Sequence, residues 1–250
     1  MLAILTYHSL DTSGSILSVA PQRFVEQMAH LAHLGFQGLS LREAVAYRNT
    51  HRTWPERGVV LTFDDGYANC YEVALPVLRQ HGFTATVFLV SGHVGGCNNW
   101  ELPLALLGTQ PMLTWEQVAA LAKAGLEIGA HTVTHRDLQR LTAAEVKSEI
   151  SAARDDIAKR LEMPVESFAY PFGSTSSLVC ELVQRAFRMA CTTILKRAEK
   201  EPLHRLPRID MYYVRSLPML ERLLAGRLDG YLAIRRWGRV ARRVLTARLY

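Results

Sequence analysis

No run of eighteen or more apolar residues occurs along the chain, so no segment reads as a membrane-spanning helix. Cysteine is scarce. Cys70, Cys97, Cys180 and Cys191 form no Cys-x-x-Cys pair, so neither a disulfide framework nor a cysteine-based metal or redox site is indicated, and four inert thiols are expected. No strand-like segment is followed by a glycine-rich phosphate fingerprint, which weakens a nucleotide-binding reading. Repeats and low-complexity stretches are lacking. The opening MLAILTYHSL has no basic segment ahead of its apolar run. It is not expected to act as a secretory signal, and a cytoplasmic location is the expectation.

What is present suits a large core. The chain has 250 residues, 49% of them hydrophobic, enough for one large α/β domain or two small ones. The formal charge is +6, with much of the excess in the last thirty residues.

Strand-like and helix-like segments alternate. LAILTY (2–7), GVVLTF (58–63), TATVFLV (84–90), LEIGA (126–130), SFAY (167–170) and MACTTI (189–194) are short apolar runs. Between them lie helical patterns. Residues 21–35 begin with Pro and end on Gly, SLRE (40–43) is a capping box, and a helical stretch runs to Gln80. Residues 114–125 and 142–161 carry further capped patterns. Such alternation argues for a parallel sheet with helical crossovers. Six or seven units in about 210 residues fit a closed or nearly closed barrel related to the (β/α)8 fold. An open doubly wound sheet is the alternative.

Chemistry in such barrels gathers where strands end. There the sequence places His8, the triplet Asp64-Asp65-Gly66, the pair His131 and His135 in HTVTH, and Pro171-Phe172-Gly173. Asp-Gly alone is ordinary turn chemistry. Two adjacent carboxylates at a buried strand end are not, because they repel one another and resist desolvation. One Asp and two His make a three-ligand set with coordination positions left open, as catalytic metal sites require. A cation there would neutralise one carboxylate and let its neighbour stay ionised.

TFDDGY (62–67), HTVTH (131–135) and, in part, AYPFG (169–173) resemble three successive motifs of the polysaccharide deacetylase family, the NodB-homology group or carbohydrate esterase family 4. The resemblance spans roughly residues 2–215. It implies a distorted (β/α)7 barrel, TIM-barrel-like, over residues 1–220. It also implies metal-dependent removal of N-acetyl groups from an amino-sugar polysaccharide, oligosaccharide or lipid-linked precursor. By the same resemblance Asp64 is the general base, and Asp65, His131 and His135 hold a divalent metal. Zinc is the default, with cobalt, nickel and iron open. The Tyr67 N–H helps form an oxyanion hole, and Pro171 and Phe172 shape a groove wall. Two departures stand out. Ala169 occupies the place of a frequent Arg, for which Arg205 or Arg208 could substitute; Arg208 is also a candidate substrate contact. No C-terminal Leu-x-x-His is evident. The Tyr7-His8 pair resembles that of the biofilm poly-N-acetylglucosamine deacetylases, making His8 the candidate acid and His204 the second. An amidase acting on a small non-sugar amide, or a carbohydrate-binding member of the fold, stays open.

The tail, residues 221–250, reads as a separate basic amphipathic helix. Arg235, Arg236, Arg239, Arg242 and Arg243 share one arc; Ile234, Trp237, Val240, Ala241, Val244 and Leu245 share the opposite arc. This suits peripheral contact with an anionic membrane, at its inner face if the chain is cytoplasmic. The alternative is a terminal helix with its apolar side on the barrel and its arginines in water. Nucleic-acid binding is not expected, since no recognition motif accompanies the arginines.

Overall fold

The computed structural model describes residues 1–100 and 106–247, with side chains of the last helix described through Gly238. Strands β1 (Ala3–Tyr7), β3 (Gly58–Phe63), β4 (Thr86–Leu89), β5 (Glu127–Ala130), β6 (Ser167–Ala169), β7 (Met189–Cys191) and β8 (Ile209–Asp210) form one parallel sheet in the order β7-β6-β5-β4-β3-β1-β8. A parallel bridge between Cys191 and Leu206 joins the two ends of this order and curls the sheet into a ring. Strand β2 (Gln37–Leu39) pairs with the first half of β3, while β4 pairs with its second half. Seven strands form the ring and β2 is wedged into its base. That is the distorted (β/α)7 barrel expected.

Alternation along the strands divides the core. Ala3, Leu5 and Tyr7 of β1 join Val59, Leu61 and Phe63 of β3 in a large outer cluster. That cluster packs on α1 (Pro21–His33), α4 (Trp115–Lys123), α5 (Ala143–Leu161) and α6 (Ser177–Ala186). Leu2, Ile4, Val60, Phe88, Ala169 and Cys191 form an inner cluster, closed from below by α2 (Leu41–His51). Both faces of β1 and of β3 to β7 are therefore buried, which is why these strands read as mainly apolar runs. The expected capping boxes form at Ser40/Glu43, Thr114/Gln117 and Thr142/Glu145. The stretch after β3 begins as a π-turn, Cys70–Ala74, before becoming α3 (Leu75–Gln80).

Helices α7 (Leu217–Leu224) and α8 (Asp229–Ala247) complete the chain. The boundary expected at 220/221 falls inside α7. Leu223, Leu228 and Leu232 belong to the main core, so packing on the barrel continues into the first turn of α8. For the two described residues of the apolar arc, the alternative of an apolar side on the barrel is not met. Ile234 and Trp237 are 72% and 68% exposed. The expectations for Arg239, Val240, Ala241, Arg242, Arg243, Val244 and Leu245 concern side chains outside the described residues.

Candidate active site

Strand β3 delivers Asp64 and Asp65 to the mouth of the ring, where two different sets of partners receive them. Asp64 points inward. Its two carboxylate oxygens accept hydrogen bonds from both terminal nitrogens of Arg208, at 2.6 and 2.7 Å. Arg208 also donates to Thr62 Oγ1 and the Thr192 carbonyl, and its guanidinium carbon lies 5.6 Å from the Phe88 ring centroid. Burial pushes the Asp64 pKa up. The Arg208 guanidinium, with His131 and His8 nearby, more than reverses this and holds it well below the usual carboxylate range. Asp64 is therefore ionised at neutral pH. Ala169 places a methyl where the family often has an arginine, and the cation comes instead from the segment entering β8. Arg208, expected as a substrate contact or as this substitute, is only 2% exposed. Its donors are committed to Asp64, so the substitute role fits and the substrate contact does not.

Asp65 turns away into left-handed backbone, φ 71°, and Gly66 follows at φ 87°. Glycine is needed at 66 for more than its φ, because a Cβ there would meet Leu89 Cδ2 at 2.9 Å. The HTVTH loop is bent in the same way, with Thr132 at φ 69° and His135 at φ 58°. Left-handed backbone costs a non-glycine residue about 1–2 kcal/mol. Four of the six described non-glycine residues with positive φ (Asp65, Thr132, His135 and Phe172) cluster here, while Arg52 and Glu162 end helices. Strain gathered at one place, held by packing, is a mark of a functional site.

The bends aim three side chains at one point. His131 Nε2 and His135 Nε2 lie 3.5 and 3.3 Å from Asp65 Oδ1. His131 Nδ1 is 2.7 Å from the Ala169 carbonyl. A carbonyl only accepts, so that nitrogen carries a proton, and Nε2 is the ring atom turned toward Asp65. Burial lowers the His135 pKa to about 4, so its ring is neutral at pH 7. Asp65 Oδ1 is buried without a hydrogen-bond partner. The three buried side chains converge, with their candidate ligand atoms all within 4.8 Å of one another. A divalent cation fits that donor set.

The remaining candidates are placed unequally. His8 Nε2 lies 3.9 Å from Asp64 Oδ2, and its side chain is 17% exposed at the mouth. His204 turns its Nε2 to the Phe187 carbonyl, 2.9 Å away, ahead of β7 and at the base of the ring. Only His8 of the two stands at the carboxylates. Tyr67 has its N–H free of any acceptor among the described residues, while burial, with Asp65 adding, pushes its hydroxyl pKa up. Phe172 packs its ring 4.8 Å from His135, and Trp100 lies 5.3 Å from the same imidazole. Both line a groove of about 590 Å³ with Asn99, Thr134, Arg136 and Arg140. Pro171 is buried beneath this wall rather than lining it.

Two contributors had no legible sequence signal. Trp100 sits in a loop without pattern. Glu149, on α5, accepts from the N–H groups of Val133 and Thr134 at 2.9 and 3.0 Å and from the Thr134 hydroxyl at 2.6 Å. It fastens the histidine loop to a helix. Its helical spacing gave no reason to separate it from any other surface carboxylate.

A family model described as polysaccharide deacetylase matches residues 51–188. The chain is 30% identical over 193 residues to YxkH of Bacillus subtilis, whose name assigns it to the polysaccharide deacetylases, covering 77% of this chain and 64% of that protein. It is 25% identical over 178 residues to the poly-β-1,6-N-acetyl-D-glucosamine N-deacetylase of Staphylococcus aureus, covering 68% of this chain and 58% of that protein. The chain thus spans about three fifths of the length of these curated relatives. Among solved structures, the Streptococcus pyogenes deacetylase PplD in complex with acetate superposes with a TM-score of 0.77 at 25% identity, over 89% of this chain and 97% of that one. IcaB from Ammonifex degensii shares the fold, with a TM-score of 0.73 at 23% identity over 89% and 96%.

Proposed function

The chain belongs to the polysaccharide deacetylase family, and on that premise we propose that it hydrolyses N-acetyl groups from an amino-sugar polymer or oligomer. The observation that carries this reading is the division of labour between adjacent carboxylates. Asp64 is paired with Arg208, and Asp65 faces His131 and His135. A structural turn has no use for either arrangement.

Asp65, His131 and His135 would hold a divalent ion, zinc being the default for one carboxylate and two imidazoles, with cobalt, nickel and iron as alternatives. When bound, such an ion supplies Lewis-acid polarisation of the acetyl carbonyl and acidifies water. Asp64, ionised and fixed by the guanidinium fork, takes the proton from the water that attacks the acetyl carbon. The Tyr67 N–H donates to the carbonyl oxygen as it becomes negative. His8, protonated, gives a proton to the departing amine nitrogen, and acetate leaves. Phe172 and Trp100 present apolar faces beside His135, suited to sugar rings. The polymer named for the Staphylococcus aureus relative, poly-β-1,6-N-acetyl-D-glucosamine, is the first substrate to try.

The test is acetate release from β-1,6- and β-1,4-linked N-acetylglucosamine oligomers before and after chelation. Release that stops on chelation and returns with zinc is expected. Cleavage of small amides with no release from any N-acetylated sugar would overturn the substrate class, and release indifferent to chelation would overturn the metal.

The acid has its own test. His8→Ala should flatten the alkaline limb of the kcat profile, where the wild-type acid loses its proton, without changing bound metal. His204→Ala should leave the profile as it was. The reverse pattern would move the acid to His204.

A further inference from the structure

Residues 230–250 contain six arginines and no acidic residue. Since the chain has 29 Lys and Arg against 23 Asp and Glu, removing those six leaves the other residues formally neutral. Residues 230–250 thus carry a formal charge equal to that of the whole protein.

That helix is docked with its amphipathic pattern inverted. Leu232 is 1% exposed and belongs to the main core. At about 100° per residue, Ile234 and Trp237 lie about 140–160° around the helix from Leu232, and both are exposed. Arg235 and Arg236 flank the docked side instead. Arg235 lies over the Tyr213 and Tyr231 rings, at 5.1 and 5.8 Å. Arg215 stacks on Tyr212 at 4.0 Å. Neither guanidinium has a carboxylate partner among the described residues. The two line a cleft of about 190 Å³ with Tyr212, Tyr213, Met219 and Tyr231.

The helix also has a direction. It starts at Asp229, held by two hydrogen bonds from Arg197 at 3.0 and 2.7 Å. Arg197 adjoins Ala198, which pairs with Leu2 at the base of β1. By Arg235 the helix has reached Tyr213, which follows β8 at the mouth of the ring. It continues past that level for twelve residues to Ala247.

We propose that α8 is an interfacial helix that seats the protein on an anionic lipid surface. The apolar face with its tryptophan enters the headgroup boundary, and Arg215 and Arg235 receive lipid phosphates. An interfacial helix combines an apolar face, a basic face and low overall hydrophobicity, and a polybasic segment adds attraction to anionic headgroups. A protein partner would have to match an apolar strip bordered by unpaired arginines, whereas an anionic bilayer does so by its nature. The inference is independent of the reaction proposed above.

The experiment is co-sedimentation of the full-length protein with vesicles of phosphatidylcholine alone and of phosphatidylcholine mixed with phosphatidylglycerol. Binding to the mixed vesicles, reduced about tenfold or more by high salt, and little binding to phosphatidylcholine alone are expected. Trp237→Glu, at an exposed position, should fold normally and bind about tenfold more weakly. Wild-type protein that ignores the mixed vesicles at low salt, or a Trp237→Glu variant that binds like wild type, overturns the proposal. A wild-type dimer in solution that Trp237→Glu converts to a monomer also overturns it, assigning the face to a second copy of the chain.

Discussion

Replacing Asp64 by asparagine is expected to lower kcat by about a hundred- to ten-thousand-fold, the usual worth of a general base. Bound metal should remain, because the ligand atoms of Asp65, His131 and His135 are untouched. The geometry adds a second effect. The asparagine side chain would keep one oxygen for Arg208 and turn an amide nitrogen toward the other guanidinium nitrogen, donor against donor. Arg208 would then be a buried cation with Thr62 and the Thr192 carbonyl as its remaining acceptors, and the variant should melt below the wild type. The rate must therefore be measured per folded, metal-loaded molecule, using acetate release and metal analysis on the same sample. A kcat near normal under those conditions would move the base elsewhere.

Arg208→Met is expected to cost about 3–5 kcal/mol of stability at neutral pH, since removing one partner of a buried ion pair strands the other. The pH dependence follows from Asp64. In the wild type its pKa is depressed, so the pair stabilises the fold above the unfolded-state value of about 3.9 and that contribution is lost as pH falls through the folded value. Without the guanidinium, burial dominates and raises the folded pKa above the unfolded one. The variant's penalty is then largest at pH 7 and shrinks as Asp64 becomes protonated. The acidic limb of its kcat/KM profile should move to higher pH for the same reason. Denaturant unfolding across pH measures the first effect and kinetics the second. In Arg208→Met/Asp64→Asn, where no charge is stranded, much of the lost stability should return. A double variant as unstable as Arg208→Met would show that packing, not charge, sets the cost.

The sequence disclosed the chemistry at the mouth better than the scaffolding behind it. Asp64, Asp65, His131 and His135 were legible because local spacing places them, two at the end of β3 and two in the loop after β5. Six of the eight described strands were legible as short, mainly apolar runs, since both their faces are buried and even their few polar residues, such as Thr62 and Glu127, are inside. Strand β2 has three residues, QGL, and β8 has two, Ile209 and Asp210; neither is long enough to carry a periodicity. Arg208 could be named only as one of two candidates, because nothing local says which arginine enters the ring. His8 was put ahead of His204 only by the resemblance of the Tyr7-His8 pair, because no local pattern says which histidine reaches the carboxylates. Glu149 was invisible, because its value comes from two backbone N–H groups brought to it by tertiary structure. The direction of α8 was equally hidden. Its pattern shows two faces, but Leu232 alone tells which one is docked.

Arg208 stands 144 positions after Asp64, and this separation orders events during synthesis. At about 5–20 residues per second, the ribosome makes β3 roughly 7–30 seconds before it makes the cation that β3 will need. Throughout that interval burying Asp64 would strand a carboxylate, so the growing chain is discouraged from closing around it. Leu206, which bridges to Cys191 and joins the two ends of the sheet, arrives two residues ahead of Arg208. Ring closure and charge neutralisation thus depend on the same late segment. A nascent or truncated chain that stops short of it should stay open and proteolytically sensitive, holding both active-site motifs yet unable to assemble them.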